Sequence, residues 1–229
     1  MKNTLLIIIS IFFIACSQSK KQNTDFEKRV EIDEHGKLSL YYLYTKATVK
    51  NAGLIPLDIG YDSFCIRFWY SHLDTNDKQV VEIKKENNNW SGNYYYLKLD
   101  TNKIKLLYPN GFIKIPDTGI NYYYVDSTYT MYKIDKKKKL EEKVINWKSF
   151  TDTLFAINFE NFPDCRNISD YQFASHNSTV TIEIANEKFY RIFSFQSLFL
   201  NKENRYVMKV EKAVKLIQKN FGINPLFPL

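Results

Sequence analysis

Glycine and proline are scarce in this 229-residue chain, at 7 and 6. That excludes collagen-like and low-complexity disordered architectures and leaves little material for phosphate-cradling loops. Cysteine is scarcer still, at 3, too few for a disulfide-dense scaffold. His35, His72 and His176 share no His-x-x-x-His or Cys-x-x-Cys partner spacing, so no metal site is expected. After residue 15 no apolar run approaches the roughly 18 residues a membrane span needs, which removes multi-pass membrane classes. A Gly-x-Ser-x-Gly elbow, a phosphate loop and a dinucleotide fingerprint are all missing, so no catalytic residue and no cofactor are assigned. Ser71-His72-Leu73-Asp74 has the letters of a triad. Neighbours on a strand point in alternating directions, however, and cannot relay a proton, so a solvated turn is the better reading. No period of about 20–50 residues repeats, against a solenoid or propeller.

What is present is 45% hydrophobic and 16% aromatic, with a net charge of +7, the composition of one folded domain with a sizeable core. The N-terminus carries an address. Lys2 precedes an apolar stretch over residues 5–14, Ala15 is small, and Cys16 follows, the layout of a signal peptide. The junction resembles the bacterial lipobox, in which that Cys is diacylated and becomes the new N-terminus, although Phe13 stands where Leu is usual. The resemblance implies a membrane anchor through lipidated Cys16, its chains contributing about 0.8 kcal/mol per buried methylene. Ser17 rather than Asp points by the same resemblance to the outer membrane. Lys20 and Lys21, where an acidic surface-export run would stand, point to its periplasmic face. The expected organisation is a signal peptide over 1–15, an aperiodic polar tether over 16–35, a single domain over 36–222 and a tail over 223–229.

Along the domain the spacing predicts strands first. Residues 63–71 alternate Phe64, Ile66, Phe68 and Tyr70 against Cys65, Arg67 and Trp69, the two-residue period of a strand. Residues 79–85 and 90–99 flank Asn87-Asn88-Asn89, so 63–99 reads as an antiparallel meander. Further strands are predicted over 103–108 and 122–134, separated by turns at Pro109-Asn-Gly111 and Pro116-Asp-Thr-Gly119. Phe150, Leu154 and Ile157 suggest a short helix within 147–159. Residues 179–185 and 188–195 read as a hairpin around Asn186-Glu187. The clearest element is the amphipathic helix over 203–221, apolar at Tyr206, Val210, Ala213, Val214, Ile217 and Phe221, with Gly222 placed to stop it. The class is α+β: a mainly antiparallel sheet, meander plus C-terminal hairpin, covered by a short helix and a C-terminal amphipathic helix.

Phe64-x-Ile66-Arg67-x-Trp69-Tyr70, a Lys-Lys strand leading to Trp90-Ser91, then Thr181-Ile-Glu183-Ile with Tyr190-Arg191, resembles a family of small, uncharacterised Bacteroidota lipoproteins of Flavobacteria type. The likeness covers roughly residues 63–222 and implies an envelope location; its strand-like motifs bring no catalytic residues.

Consecutive aromatics in a strand cannot all face one core, and Tyr41-Tyr42-Leu43-Tyr44, Phe68-Trp69-Tyr70, Tyr94-Tyr95-Tyr96 and Tyr122-Tyr123-Tyr124 are such clusters. Their outer rings either pack under helices and loops or form an exposed platform, and Trp69, Tyr95 and Tyr123 are the candidate binding aromatics. Cys65 and Cys165 either pair, closing a loop of about 100 residues worth up to about 4.7 kcal/mol by chain entropy, or are two free buried thiols. Lys136-Lys-Lys-Lys139 before Glu141-Glu142 reads as a solvated hairpin tip, with contact to anionic head groups or an acidic partner as its functional alternative. Asp126-Ser127-Thr128 and Asp152-Thr153-Leu154 resemble a three-residue O-glycan acceptor of Bacteroidota envelope proteins. The expected function is non-enzymatic binding of an envelope protein or glycan, with no nucleic acid partner. The alternatives are a hydrolase acting on envelope polymers through a dispersed site, or a structural subunit of an outer-membrane assembly. A concave pocket with convergent ionisable groups would mark the enzyme, an aromatic patch the binder.

Overall fold

The alternation along 63–71 sends two sets of side chains to opposite sides of one sheet. The computed structural model describes residues 26–30, 38–72, 77–100, 132–140, 146–174 and 178–223. Within them lie β1 (Glu27–Val30), α1 (Leu40–Ala52), β2 (Phe64–His72), β3 (Asp77–Glu86), β4 (Asn89–Leu99) and β5 (Tyr132–Lys139). Next come α2 (Trp147–Phe155), β6 (Ser178–Asn186), β7 (Phe189–Gln196) and α3 (Arg205–Phe221). The strands form a seven-stranded sheet in the order β1-β7-β6-β2-β3-β4-β5. Every pairing is antiparallel except that of β1 with β7. The fold is α+β, as the patterning predicts.

Local chemistry sets the meander. Asn87 and Asn88 both take positive φ, 49° and 64°, between the paired residues Glu86 and Asn89. A two-residue turn of that handedness matches the twist of its strands, and Asn tolerates it. It fixes the β3–β4 register that places Lys85 opposite Trp90, and the β2–β3 pairing places Phe64 opposite Lys85 on the other side.

One face of the sheet carries the larger core. Ile66, Phe68, Tyr70, Val81, Ile83, Ile182, Phe193 and Phe195 pack there against α2 and α3. The apolar stripe of α3, Val207, Val210, Ala213, Val214 and Ile217, is fully covered. Asn204 caps its start by accepting from the amides of Tyr206 and Val207, and Gly222, at φ 58°, closes its end through Gln218. Gly92 lets this layer approach β4, since a Cβ there would stand 2.9 Å from Leu140 and 3.0 Å from Trp147.

The opposite face is covered by α1 and the segment after it, which seat Tyr42, Val49, Leu54 and Leu57 over Cys65, Trp69, Val80, Tyr190 and Ile192. The sheet is thus a middle layer with helices on both sides. Sequence periodicity does not predict α1. Its buried positions include Thr45 and Thr48 beside Tyr42 and Val49, so its inward face is half polar and its tyrosines imitate a strand.

Three expectations are corrected. Glu27–Val30, inside the stretch read as a tether, forms β1. It gains backbone pairing to β7 and seats only Val30 against the core, its other three residues being exposed. Lys136–Lys139 is not a hairpin tip but the second half of β5, paired with Asn93–Tyr96. Lysines suit a strand that ends the described order, because charge there discourages pairing with other chains. Ile223, placed in the tail, belongs to the larger core. The strand predicted over 103–108 lies outside the described residues, as do residues 122–131 of the strand predicted over 122–134, whose last three residues begin β5, residues 1–25 with Cys16, and Asp126-Ser127-Thr128. Among the described residues no helix is long and apolar enough to cross a membrane.

Candidate functional site

Two constellations are assembled by the fold, one buried and one open. The buried one grows from a single cross-strand row under α1: Asn93, Glu82, Arg67 and Glu183 are successive partners on β4, β3, β2 and β6. Arg67 is fully enclosed. Its Nε and one terminal nitrogen donate to the same oxygen of Glu82, at 2.8 and 2.7 Å, and the other donates to the carbonyl of Ile55 at 2.8 Å. Glu183 lies 3.8 Å from the guanidinium and accepts from the Trp69 indole at 2.6 Å and the Tyr190 hydroxyl at 3.0 Å. Burial pushes the Glu183 carboxyl above its ordinary range against the pull of Arg67. Tyr95 and Asn93 each donate to the remaining oxygen of Glu82 at 3.2 Å.

Trp69 and Tyr95 therefore belong to one network, but neither is an exposed ring. They are 3% and 5% accessible, and the platform expected of them is corrected. The layer that hides them is α1, the helix that periodicity does not show. Tyr123 lies outside the described residues. The network continues outward: Tyr190 meets Tyr42 edge-on at 6.2 Å, and the Tyr42 hydroxyl donates to Asp58 at 2.8 Å. Lys28 and Lys46 converge on the same Asp58 oxygen at 3.0 and 2.9 Å. Burial alone would raise the Asp58 carboxyl, but the hydrogen bonds from Lys46, Tyr42 and Lys28 bring it down to about 2. This arrangement ties β1, α1 and the loop at Asp58 together.

Cys65 and Cys165 are free and buried. Cys65 lies under α1 with Tyr42 and Tyr190, whereas Cys165 belongs to the α2/α3 core, so the sheet stands between them and the disulfide alternative is overturned. Burial raises both thiols, that of Cys165 to about 12. Among the described residues no group of three or more His, Cys, Asp and Glu is placed to hold a metal ion; His35 and His176 lie outside them. Thr153, in the acceptor-like Asp152-Thr153-Leu154, is exposed on α2 with its hydroxyl donating to the Ser149 carbonyl at 2.9 Å.

The open constellation is a cleft of about 360 Å³ at the turn end of the sheet, where α2 ends. Register brings Phe64, Lys85 and Trp90 into one row, and Phe155 closes over them from the last turn of α2. The Phe64 and Phe155 rings meet edge-on at 4.9 Å, Trp90 tilts toward Phe155 at 5.3 Å, and Phe64 and Trp90 are 6.0 Å apart. Ile66, Ile184 and Phe159 form the floor, while Lys85, Asn158 and Glu160 stand at the rim. Asn158 holds its place in the left-handed region, φ 60°. The lining is mainly apolar with three polar groups of mixed charge, the composition of a small-ligand site. Sequence reasoning places Phe64 and Trp90 on strands without joining them; the Asn87-Asn88 turn signals the alignment of Trp90 with Lys85, while the β2–β3 register that adds Phe64 has no such local signal.

No family model, curated protein or solved structure matches the chain.

Proposed function

We propose that this protein is a lipid-anchored envelope protein, held through Cys16 at the periplasmic face of the outer membrane, that binds a glycan without transforming it. The observation that carries the binding role is the cleft framed by Phe64, Trp90 and Phe155. Trp90 is half-buried and Phe155 is exposed, so the cleft offers rigid aromatic area to the apolar C–H face of a sugar. Lys85, Asn158 and Glu160 bring donors and acceptors to hydroxyl groups around it. The rim carries one cation and one carboxylate, a balance that favours a neutral polyhydroxylated ligand over a strongly charged one. The lipobox-like junction and the resemblance of the strand motifs to those of Bacteroidota lipoproteins support the location.

The test is a glycan array probed with the full chain and with Trp90→Ala. An anchor at the centre of a binding site should cost about tenfold or more in affinity on truncation. Signals unchanged by Trp90→Ala would remove the cleft as the site.

A further inference from the structure

The outward face of α3 carries a pattern that core packing does not require. Arg205, Met208, Lys212, Lys215 and Lys219 recur at steps of three and four residues, opposite the buried Val207, Val210, Ala213, Val214 and Ile217. Residues at that spacing share one side of a helix, and this row runs about 21 Å along the axis. Between residues 202 and 219 stand six cations and only two acids, Glu203 and Glu211. Glu211 pairs with Lys215 at 3.5 Å, while Lys202, Lys212 and Lys219 make no ion pair among the described residues.

At the N-terminal end of the row exposed apolar side chains stand among the charges of Lys202, Arg205 and Lys209. Met208 is 55% accessible, and the turn that feeds α3 exposes Phe199 and Leu200. Phe173 is exposed as well, and its segment is fastened to that turn by reciprocal hydrogen bonds between Gln172 and Asn201, both at 2.9 Å.

We infer that α3 and the turn before it form a docking surface for an anionic phospholipid bilayer. A helix whose cationic row includes the exposed Met208, fed by a turn that exposes Phe199 and Leu200, offers both charge for the phosphates and apolar side chains for the acyl region of a bilayer margin. A purely polar polyanion would engage the lysines but leave Met208 and Phe199 without a partner. The row lies on the outer side of one continuous helix, open to a broad surface. The inference is independent of the aromatic cleft.

The full chain carrying Met208→Cys, labelled with an environment-sensitive fluorophore, tests it in vesicles of phosphatidylcholine with and without phosphatidylglycerol, using a lipid-borne quencher. A second probe at Lys50→Cys, exposed on α1 across the sheet, reports the opposite face. The expected result is quenching at 208 but not at 50, present only with phosphatidylglycerol and reversed by salt. Combining Lys212→Glu, Lys215→Glu and Lys219→Glu should weaken it about tenfold or more. No quenching at 208 in anionic vesicles, equal quenching at both probes, or equal quenching without phosphatidylglycerol would overturn the inference.

Discussion

Arg67 and Glu82 face each other across β2 and β3, and the guanidinium donates twice to one carboxylate oxygen, at 2.8 and 2.7 Å. Both side chains are buried, so neither charge can turn to water if its partner is lost. Breaking such a pair typically costs about 3–5 kcal/mol. Arg67→Met should destabilise the protein by that order in urea unfolding. Glu183→Gln, which removes a carboxylate that burial already disfavours and keeps an acceptor for Trp69, should cost about 1 kcal/mol or less. Equal losses in the two variants would show that Glu183, rather than Glu82, is the main partner of Arg67.

Acid should remove the stabilisation that the Asp58 cluster contributes. The folded-state Asp58 carboxyl is depressed to about 2, below its unfolded value near 4. Its stabilisation is therefore complete above about pH 4 and is lost as pH falls toward 2. With solvent screening allowed for, about 1–2 kcal/mol is at stake. Asp58→Asn should flatten the stability profile across that window and leave its slope above pH 5 unchanged. A profile with the same acid slope in the variant would assign the loss to other carboxylates.

The thiols give a test free of energetics. In a Cys16→Ser chain, Cys65 and Cys165 should both resist a thiol reagent in the native state and both react once unfolded, and reductant should leave Tm unchanged. A lowered Tm under reductant would mean that the two residues reach each other, which the intervening sheet forbids.

How much of this was legible beforehand follows from where periodicity survives. The meander, the β6–β7 hairpin and α3 can be read because apolar and polar residues alternate cleanly, and Asn87-Asn88 or Gly222 mark their ends. Two elements are hidden and one is half seen. In α1, threonines occupy buried positions; β1 is short and mostly polar, held by its pairing to β7, by Val30 and by Lys28 on Asp58; β5 overlaps the strand predicted to residue 134 but continues through four lysines. Missing α1 had the largest consequence, since it turns Trp69 from a surface ring into a buried donor to Glu183. The cleft was half legible: Phe64 and Trp90 lie on predicted strands, but Phe155 reaches them only through the packing of α2 on the sheet, a contact between residues far apart in sequence.

Cys16→Ser addresses the anchoring proposal directly. The variant should remain unprocessed or be released as a soluble periplasmic protein, read by fractionation and by the mass of its N-terminus. Extraction of the variant only with the outer membrane would contradict lipidation as the anchor.

The central claim is that the cleft holds a sugar, and the 3 tryptophans provide separate reporters of it. Trp90 lines the cleft, Trp69 is buried under α1, and Trp147 packs against Phe150 and Phe221. The measurement is the set of three indole N–H resonances during titration with purified neutral envelope oligosaccharides. The account predicts a saturable shift of the Trp90 signal, with Trp69 unmoved and the Trp90 response weakened by Phe155→Ala. Saturable binding that leaves the Trp90 resonance in place, or no binding by any neutral oligosaccharide, would contradict it.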